Sequence, residues 1–219
     1  MKLAALVSGG KDSLYALWKE KKQNEIDYLI CVKPKPDSKF LHAENLEVVK
    51  LQSESMGIPL IWREGSGEGV KPLEDAVEAV SGEVDGVVSG ALASNYQKER
   101  VKKICEKFSL ESLTPLWHGD EEELMEGVLQ EGFEVVVTKV AAQGLGKEWL
   151  GRKLDQEAMK ELKELKEKYG IHMSGEGGEL ETLVVDCPLF QKKITLEKIR
   201  KGWDGRTKTG YLEVLEASL

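Results

Sequence analysis

At 219 residues the chain exceeds one average domain and falls short of two, so a principal domain of about 130 residues plus a smaller one is expected. Its net charge of -8 gives no long-range attraction to nucleic acid, which disfavours a tRNA substrate, and no stretch approaches the ~20 apolar residues of a membrane helix. Cys31, Cys105 and Cys187 form neither a disulfide framework nor a C-x-x-C pair, and no signal-peptide pattern precedes the first apolar run, so a cytoplasmic protein with no membrane partner is expected.

Residues 3–7 read as a strand and residues 12–22 as an amphipathic helix, with Ser8-Gly9-Gly10-Lys11-Asp12-Ser13 between them. A strand that passes through two glycines into a helix makes a phosphate cradle: the backbone can approach an anion, and the helix start turns amides and a positive dipole end toward it. Ser8 and Ser13 add hydroxyl donors and Lys11 a cation. The commoner nucleotide loop closes on Gly-Lys-Ser/Thr, whereas here Lys11 is followed by Asp12. A carboxylate beside a triphosphate repels it unless a cation intervenes, so Asp12 is read as a ligand for Mg²⁺. The plain alternative is a glycine turn with Asp12 as a helix-start residue.

The six residues resemble the S-G-G-x-D-S loop of the PP-loop, or N-type, ATP pyrophosphatases of the adenine nucleotide alpha-hydrolase superfamily. That resemblance implies a Rossmann-like (HUP-type) parallel sheet with helices on both faces. It also implies ATP cleavage between the alpha and beta phosphates to adenylate a substrate.

Further along, residues 27–33 read as a strand, 41–56 as a helix and 58–62 as a strand, the βαβ pattern of a parallel sheet. Cys31 falls in the core of that pattern. The three-glycine segment 63–69 is either a solvated connector or a mobile flap, and a helix over 71–80 leads to a strand at 86–90. Ser89, Gly90 and Ala91 are small residues at that strand's carboxyl end, the edge where open α/β sheets bind ligands, and are assigned to the nucleotide. Ser94 then reads as a helix N-cap with Gln97 at the capping-box position, and Cys105 lies on the buried face with Val101, Ile104 and Phe108. Tyr96 and Arg100, four apart near the start of this helix, could together contact a phosphate or substrate.

A helix beginning near Asp120 carries acidic residues in its first turn, as the dipole prefers, and Glu121 to Glu123 need no functional reading. Gly132 ends it, residues 133–142 form an apolar strand containing Lys139, and the pattern then changes. The domain boundary is therefore placed near 127–132, dividing an ATP-binding domain, 1–130, from a smaller α+β acceptor domain, 131–219. In the second part, a glycine-spaced loop at 143–152 precedes a helix with Leu154, Ala158, Leu162 and Leu165 inward and a solvated Lys/Glu face, and residues 195–219 read as mostly β with a turn at 203–206.

Gly175-Glu176-Gly177-Gly178-Glu179-Leu180-Glu181-Thr182 sets three carboxylates within six residues, a costly arrangement unless something cationic binds there. Glu179 and Glu181 would share a face if the following strand begins early. Their tasks could be to hold Mg²⁺, to hold ammonium or a cationic substrate, or to take a proton during amide formation. The plain alternative is a solvated acidic loop. His42, His118 and His172 are read as surface or packing residues, with His42 the exception if it lies near adenine.

G-E-G-G-E-x-E-T, taken with S-G-G-K-D-S and G-A-L-A-S-N-Y-Q-K-E-R, resembles the diphthine-ammonia ligase family. Gly144-Leu145-Gly146 to Leu150-Gly151-Arg152 fits the same family, and Phe40-Leu41-His42-Ala43-Glu44-Asn45 is a looser match to its H-x-x-N segment. The resemblance implies ATP-dependent amidation of diphthine on translation elongation factor 2 by ammonium, through an acyl-adenylate, with release of AMP and pyrophosphate. Ser8, Gly9, Gly10, Lys11, Asp12 and Ser13 would grip the pyrophosphate. Glu176, Glu179 and Glu181, with Gly177, Gly178 and Thr182, would line the acceptor side. The start at Met1 rather than at a cysteine nucleophile points to ammonia from solution or another protein, and a homodimer is left open. The alternatives are adenylation of another substrate such as tRNA, and a non-catalytic ATP-binding sensor.

Overall fold

Short apolar runs alternating with amphipathic segments fold here as strands joined by helical crossovers. In the computed structural model, residues 1–34, 45–65 and 70–219 are described. The H-x-x-N match apart from Asn45, including His42, and the tip of the glycine segment expected as a connector or flap lie outside them. The chain divides into two compact units, Met1–Trp117 and His118–Leu219.

The first unit runs β1 (Lys2–Leu6), α1 (Lys11–Lys21), β2 (Glu25–Pro34), α2 (Val48–Met56), β3 (Leu60–Gly65), α3 (Val70–Glu78), β4 (Gly86–Val88), α4 (Asn95–Lys107) and β5 (Glu111–Leu113). All the strand pairs are parallel, in the order β3-β2-β1-β4-β5. The doubly wound, Rossmann-like architecture is thus as expected. Ala4, Ile30 and Val87 pack with Ala76, Val77 and Val80 of α3 and Val101, Ile104 and Cys105 of α4 on one face of the sheet. Right-handed crossovers place α1 and α2 on the other. The strand order reverses between β1 and β4, and the loop 8–13 leaves β1 at that point.

The second unit holds α5 (Glu121–Gln130), β6 (Glu134–Val140), a 3-10 turn (Lys147–Trp149), α6 (Gln156–Tyr169), β7 (Leu180–Asp186), β8 (Thr195–Asp204) and β9 (Thr209–Ser218). Its sheet is antiparallel in the order β7-β6-β9-β8. β9 joins β6 only where Lys139 faces Tyr211 and Val140 faces Gly210, while β8 and β9 pair along their length. The segment after the 3-10 turn returns along β6: the Gly151 amide donates to the Val137 carbonyl (2.8 Å) and the Leu154 amide to that of Val135 (2.9 Å). Trp149 is buried beneath the Arg152 guanidinium, 4.5 Å from its ring, and that guanidinium forks onto Glu161.

The expected boundary at 130/131 moves to 117/118, so α5 belongs to the second unit. Its buried face carries Leu124, Met125 and Val128, and its acidic residues meet α6. Lys166 of α6 reaches Glu121 (2.7 Å), and Lys163 reaches Glu122 (3.0 Å) and Glu126 (3.3 Å). Part of the Lys/Glu face of α6 expected to be solvated is therefore a seam between helices.

Candidate active site

The loop 8–13 is closed on itself by hydrogen bonds that consume carbonyls. Ser13 Oγ accepts from the Ser8 amide (3.2 Å) and donates to the Gly10 carbonyl (3.0 Å), which the Leu14 amide also meets at 3.3 Å. The Ser8 and Ser13 hydroxyls are 3.3 Å apart. Gly9 has φ +83°, a conformation that favours glycine. Gly10 sits at the N-cap of α1 without a capping side chain, so the first turn of the helix has its donors uncovered by any cap. Lys11 is 1% exposed, and its Nζ lies 3.0 Å from Asp12 Oδ2. Asp12 Oδ1 is buried with no hydrogen-bond partner among the described residues. One carboxylate oxygen is thus matched by Lys11, and the fit to Mg²⁺ rests on the other.

Two residues from elsewhere shape this loop. Gln52 of α2, wholly buried, donates from Nε2 to the Gly9 carbonyl at 3.0 Å. Gly90 underlies the start of α1: a Cβ there would stand 2.7 Å from the carbonyl carbon and oxygen of Asp12 and from the Ser13 nitrogen. Smallness at position 90 therefore first serves the approach of the loop's own backbone, where the sequence suggested the approach of a flat ligand. Beside it, Ser89 is 6% exposed with its Oγ lacking a partner among the described residues, and its amide bonds the Leu113 carbonyl at 2.9 Å; Ala91 is buried.

Ser94 caps α4 as expected, accepting from the Gln97 amide at 3.4 Å. Tyr96, 58% exposed, and Arg100 come together, the guanidinium 5.9 Å from the ring centre, and Arg100 Nε is buried without a partner among the described residues. All three cysteines are buried, which pushes the thiols up to about 12 for Cys31 and Cys187 and about 11 for Cys105.

In the second unit the glutamate-rich loop precedes β7. Gly175, φ +80°, has no room for a side chain, since a Cβ would meet the Leu180 carbonyl at 2.4 Å; Gly178, φ +83°, faces open space, and Gly177 beside it is exposed. Glu179 and Glu181 meet different partners. Glu179 accepts from the His172 amide at 3.2 Å and its carbonyl from the Ala141 amide at 2.7 Å, while Glu181 lies within β7 and pairs with Lys139 of β6 at 2.9 Å. The strand starts at Leu180, so Glu181 lies within it and Glu179 immediately before it. Thr182 follows within β7 opposite Val137, and Glu176 is half-buried in the loop.

Glu121, expected to be a dipole residue only, is wired to this loop. It is a hydrogen-bond acceptor for the Ser174 amide at 3.4 Å, lies 3.9 Å from His172 Nδ1, and pairs with Lys166. Burial raises its carboxyl, but the Lys166 and Ser174 hydrogen bonds and the nearby positive charges outweigh that and hold it below its usual value. Gln52 had a faint signal, a polar residue on the apolar stripe of Val48, Val49 and Met56. Glu121 had none.

Among the described residues no helix is long and apolar enough to cross a membrane, and no three His, Cys, Asp or Glu side chains gather to hold a metal.

The family models described as diphthamide synthase N-terminal domain and diphthamide synthase C-terminal domain match residues 1–112 and 120–219. The chain is 33% identical over 248 residues to a Bos taurus protein named diphthine--ammonia ligase, covering 100% of this chain and 92% of that one. The Homo sapiens protein of the same name gives the same identity and coverage. A Danio rerio namesake is 36% identical over 222 residues, covering 90% of this chain and 87% of that one. The gap between the two family matches spans the junction between the structural units, and together they show that the chain belongs to the diphthamide synthase family.

Proposed function

We propose that the chain is a cytoplasmic ligase that uses ATP and ammonium to amidate diphthine on translation elongation factor 2, releasing AMP and pyrophosphate. The observation that carries the reading is the loop 8–13 at the switch point of its sheet, with carbonyls tied back and an uncapped helix start, in a chain of this family.

The acceptor's carboxylate oxygen bonds to the alpha phosphorus as the bond to pyrophosphate breaks. The ammonia nitrogen then bonds to the acyl carbon, the bond to the AMP oxygen breaks, and the nitrogen loses a proton. Loop amides and the dipole of α1 stabilise the charge that develops on the leaving pyrophosphate. Asp12 would hold Mg²⁺ through Oδ1, and that ion supplies charge neutralisation at the phosphates when bound. Ser89 and Ala91 would meet the nucleotide at the end of β4, and Tyr96 and Arg100 the substrate. In the second unit Glu176, Glu179 and Glu181, with Gly177, Gly178 and Thr182, would form the acceptor side, their charge drawing ammonium and the quaternary ammonium of diphthine. With every thiol held protonated by burial, sulfur transfer has no ready nucleophile in the described residues.

The test is to incubate the protein with ATP, Mg²⁺, ammonium and diphthine-bearing elongation factor 2, following nucleotide products and the mass of the factor. AMP and pyrophosphate should form together with conversion of carboxylate to amide. ADP and phosphate as sole products, or a factor unchanged beside a working control enzyme, would overturn the proposal.

A further inference from the structure

Gln52 is out of character with its surroundings. It occupies the middle of α2 on the stripe that turns Val48, Val49 and Met56 inward, and it is 0% exposed. A primary amide is costly to bury unless its hydrogen bonds repay the lost water. Its Nε2 donates to the Gly9 carbonyl at 3.0 Å, on the loop between Ser8 and Ser13.

Across a trans peptide the carbonyl and the following amide point in opposite directions. With the Gly9 carbonyl drawn to Gln52, the Gly10 amide is directed away from α2. The next peptide is fixed in the same sense, because the Gly10 carbonyl is held by Ser13 Oγ and the Leu14 amide and the Lys11 amide therefore points out of the helix start.

We propose that Gln52 is a positioning residue that locks the Gly9–Gly10 peptide with its amide, rather than its carbonyl, toward the pyrophosphate; the inference rests on the ATP reading above. The need for a lock follows from the glycines. Turning that peptide over changes only ψ of Gly9 and φ of Gly10, now -83°, and glycine enters positive φ about as readily as negative. The residues that let the backbone approach an anion therefore also permit a state in which a carbonyl oxygen would face the phosphate oxygens. The amide of Gln52 removes that ambiguity without bringing a charge into the interior, which a lysine at this place would do.

Gln52→Met keeps the length of the side chain and removes the donor. Calorimetric titration with Mg²⁺-pyrophosphate should show affinity weakened about tenfold or more, the effect of losing one charge-directed hydrogen bond. In NMR spectra the Gly10 amide proton of the unaltered protein should move downfield on saturation with Mg²⁺-pyrophosphate. In the variant that movement should shrink while the Leu14 amide stays put, which a general loosening of the fold would not produce. Failure of the unaltered protein to bind ATP or pyrophosphate would overturn the ATP reading, and this inference with it. Binding by the unaltered protein with equal affinity in Gln52→Met would overturn the role of Gln52 alone. Should the variant fail to fold, the unaltered protein decides: a Gly10 amide that stays still at saturation overturns the lock.

Discussion

The two glycine-rich loops are held by opposite means. The backbone of loop 8–13 is anchored by neutral groups, apart from the Lys11–Asp12 pair between its side chains: Ser13 and Gln52 take its carbonyls, and Gly90 admits its backbone. The loop before β7 is anchored by carboxylates, with Glu121 accepting from Ser174 and pairing with Lys166, and Glu179 accepting from His172. A site meant for an anion keeps its backbone donors available and can be fastened only through carbonyls. A site meant for a cation can use the same acidic groups for fastening and for reception. The fastening of the first should therefore depend on shape, and that of the second on charge as well.

The largest effect should come from Gly90→Ala, whose Cβ has only backbone to displace. Overpacking of this kind costs about 1–3 kcal/mol, and because the displaced atoms belong to Asp12 and Ser13, AMP formation should fall by more than about tenfold. Product assays and thermal melts check both, and unchanged activity would mean that the loop is not held by this packing.

Next come two glycines of like φ in the other loop. Gly175→Ala combines left-handed backbone with a clash on the Leu180 carbonyl and should abolish amide formation while leaving Mg²⁺-pyrophosphate binding intact. Gly178→Ala meets nothing within 4 Å and should cost about 1 kcal/mol of stability from its backbone alone. Equal behaviour of the two variants would remove the argument that Gly175 shapes the loop.

A smaller effect tests the ionic anchoring. The folded-state carboxyl of Glu121 is held below its ordinary value of 4.5, so its stabilising contribution is present above that pH and is lost as pH falls through the depressed folded value. In acid melts, stability should fall more steeply for the unaltered protein than for Glu121→Gln in that window. Parallel curves would show that Glu121 does not fasten the loop. Smallest of all, thiol reagents at pH 8 should label Cys31, Cys105 and Cys187 only on unfolding, since burial keeps each thiol protonated.

Much of this was legible in the sequence, and the exceptions share a cause. The strand-helix alternation, the Ser94 cap and the inward face of Cys105 are local periodicities and are found as expected, except that α2 begins at Val48 after a turn at 45–47, the three-residue β5 was too short to leave a pattern, and β8 continues to Asp204 where a turn was expected from 203. The boundary was not legible, because Gly132 marks the end of a helix without telling which unit owns it. α5 buries Leu124, Met125 and Val128 and its Glu121, Glu122 and Glu126 meet Lys163 and Lys166, residues distant in sequence that leave no local mark. The different partners of Glu179 and Glu181, the His172 amide and Lys139, likewise depend on contacts outside the motif. Motifs named the loops, while the residues that position them, Gln52, Gly90 and Glu121, lie outside any motif or inside one for another reason.

The sparse pairing between β9 and β6 bears on the order in which the second unit is built. β8 and β9 pair from Thr195 opposite Ser218 to Asp204 opposite Thr209, with register shifts around Lys198, and the turn that joins them closes a short loop, so this hairpin can form early at little entropic expense. β6 and β7 must instead find each other across the whole of α6, with Lys139 meeting Glu181. The carboxylates acquire their final disposition only with that later encounter, so a full-length chain refolding from the unfolded state would possess its hairpin before the loop ahead of β7 is set.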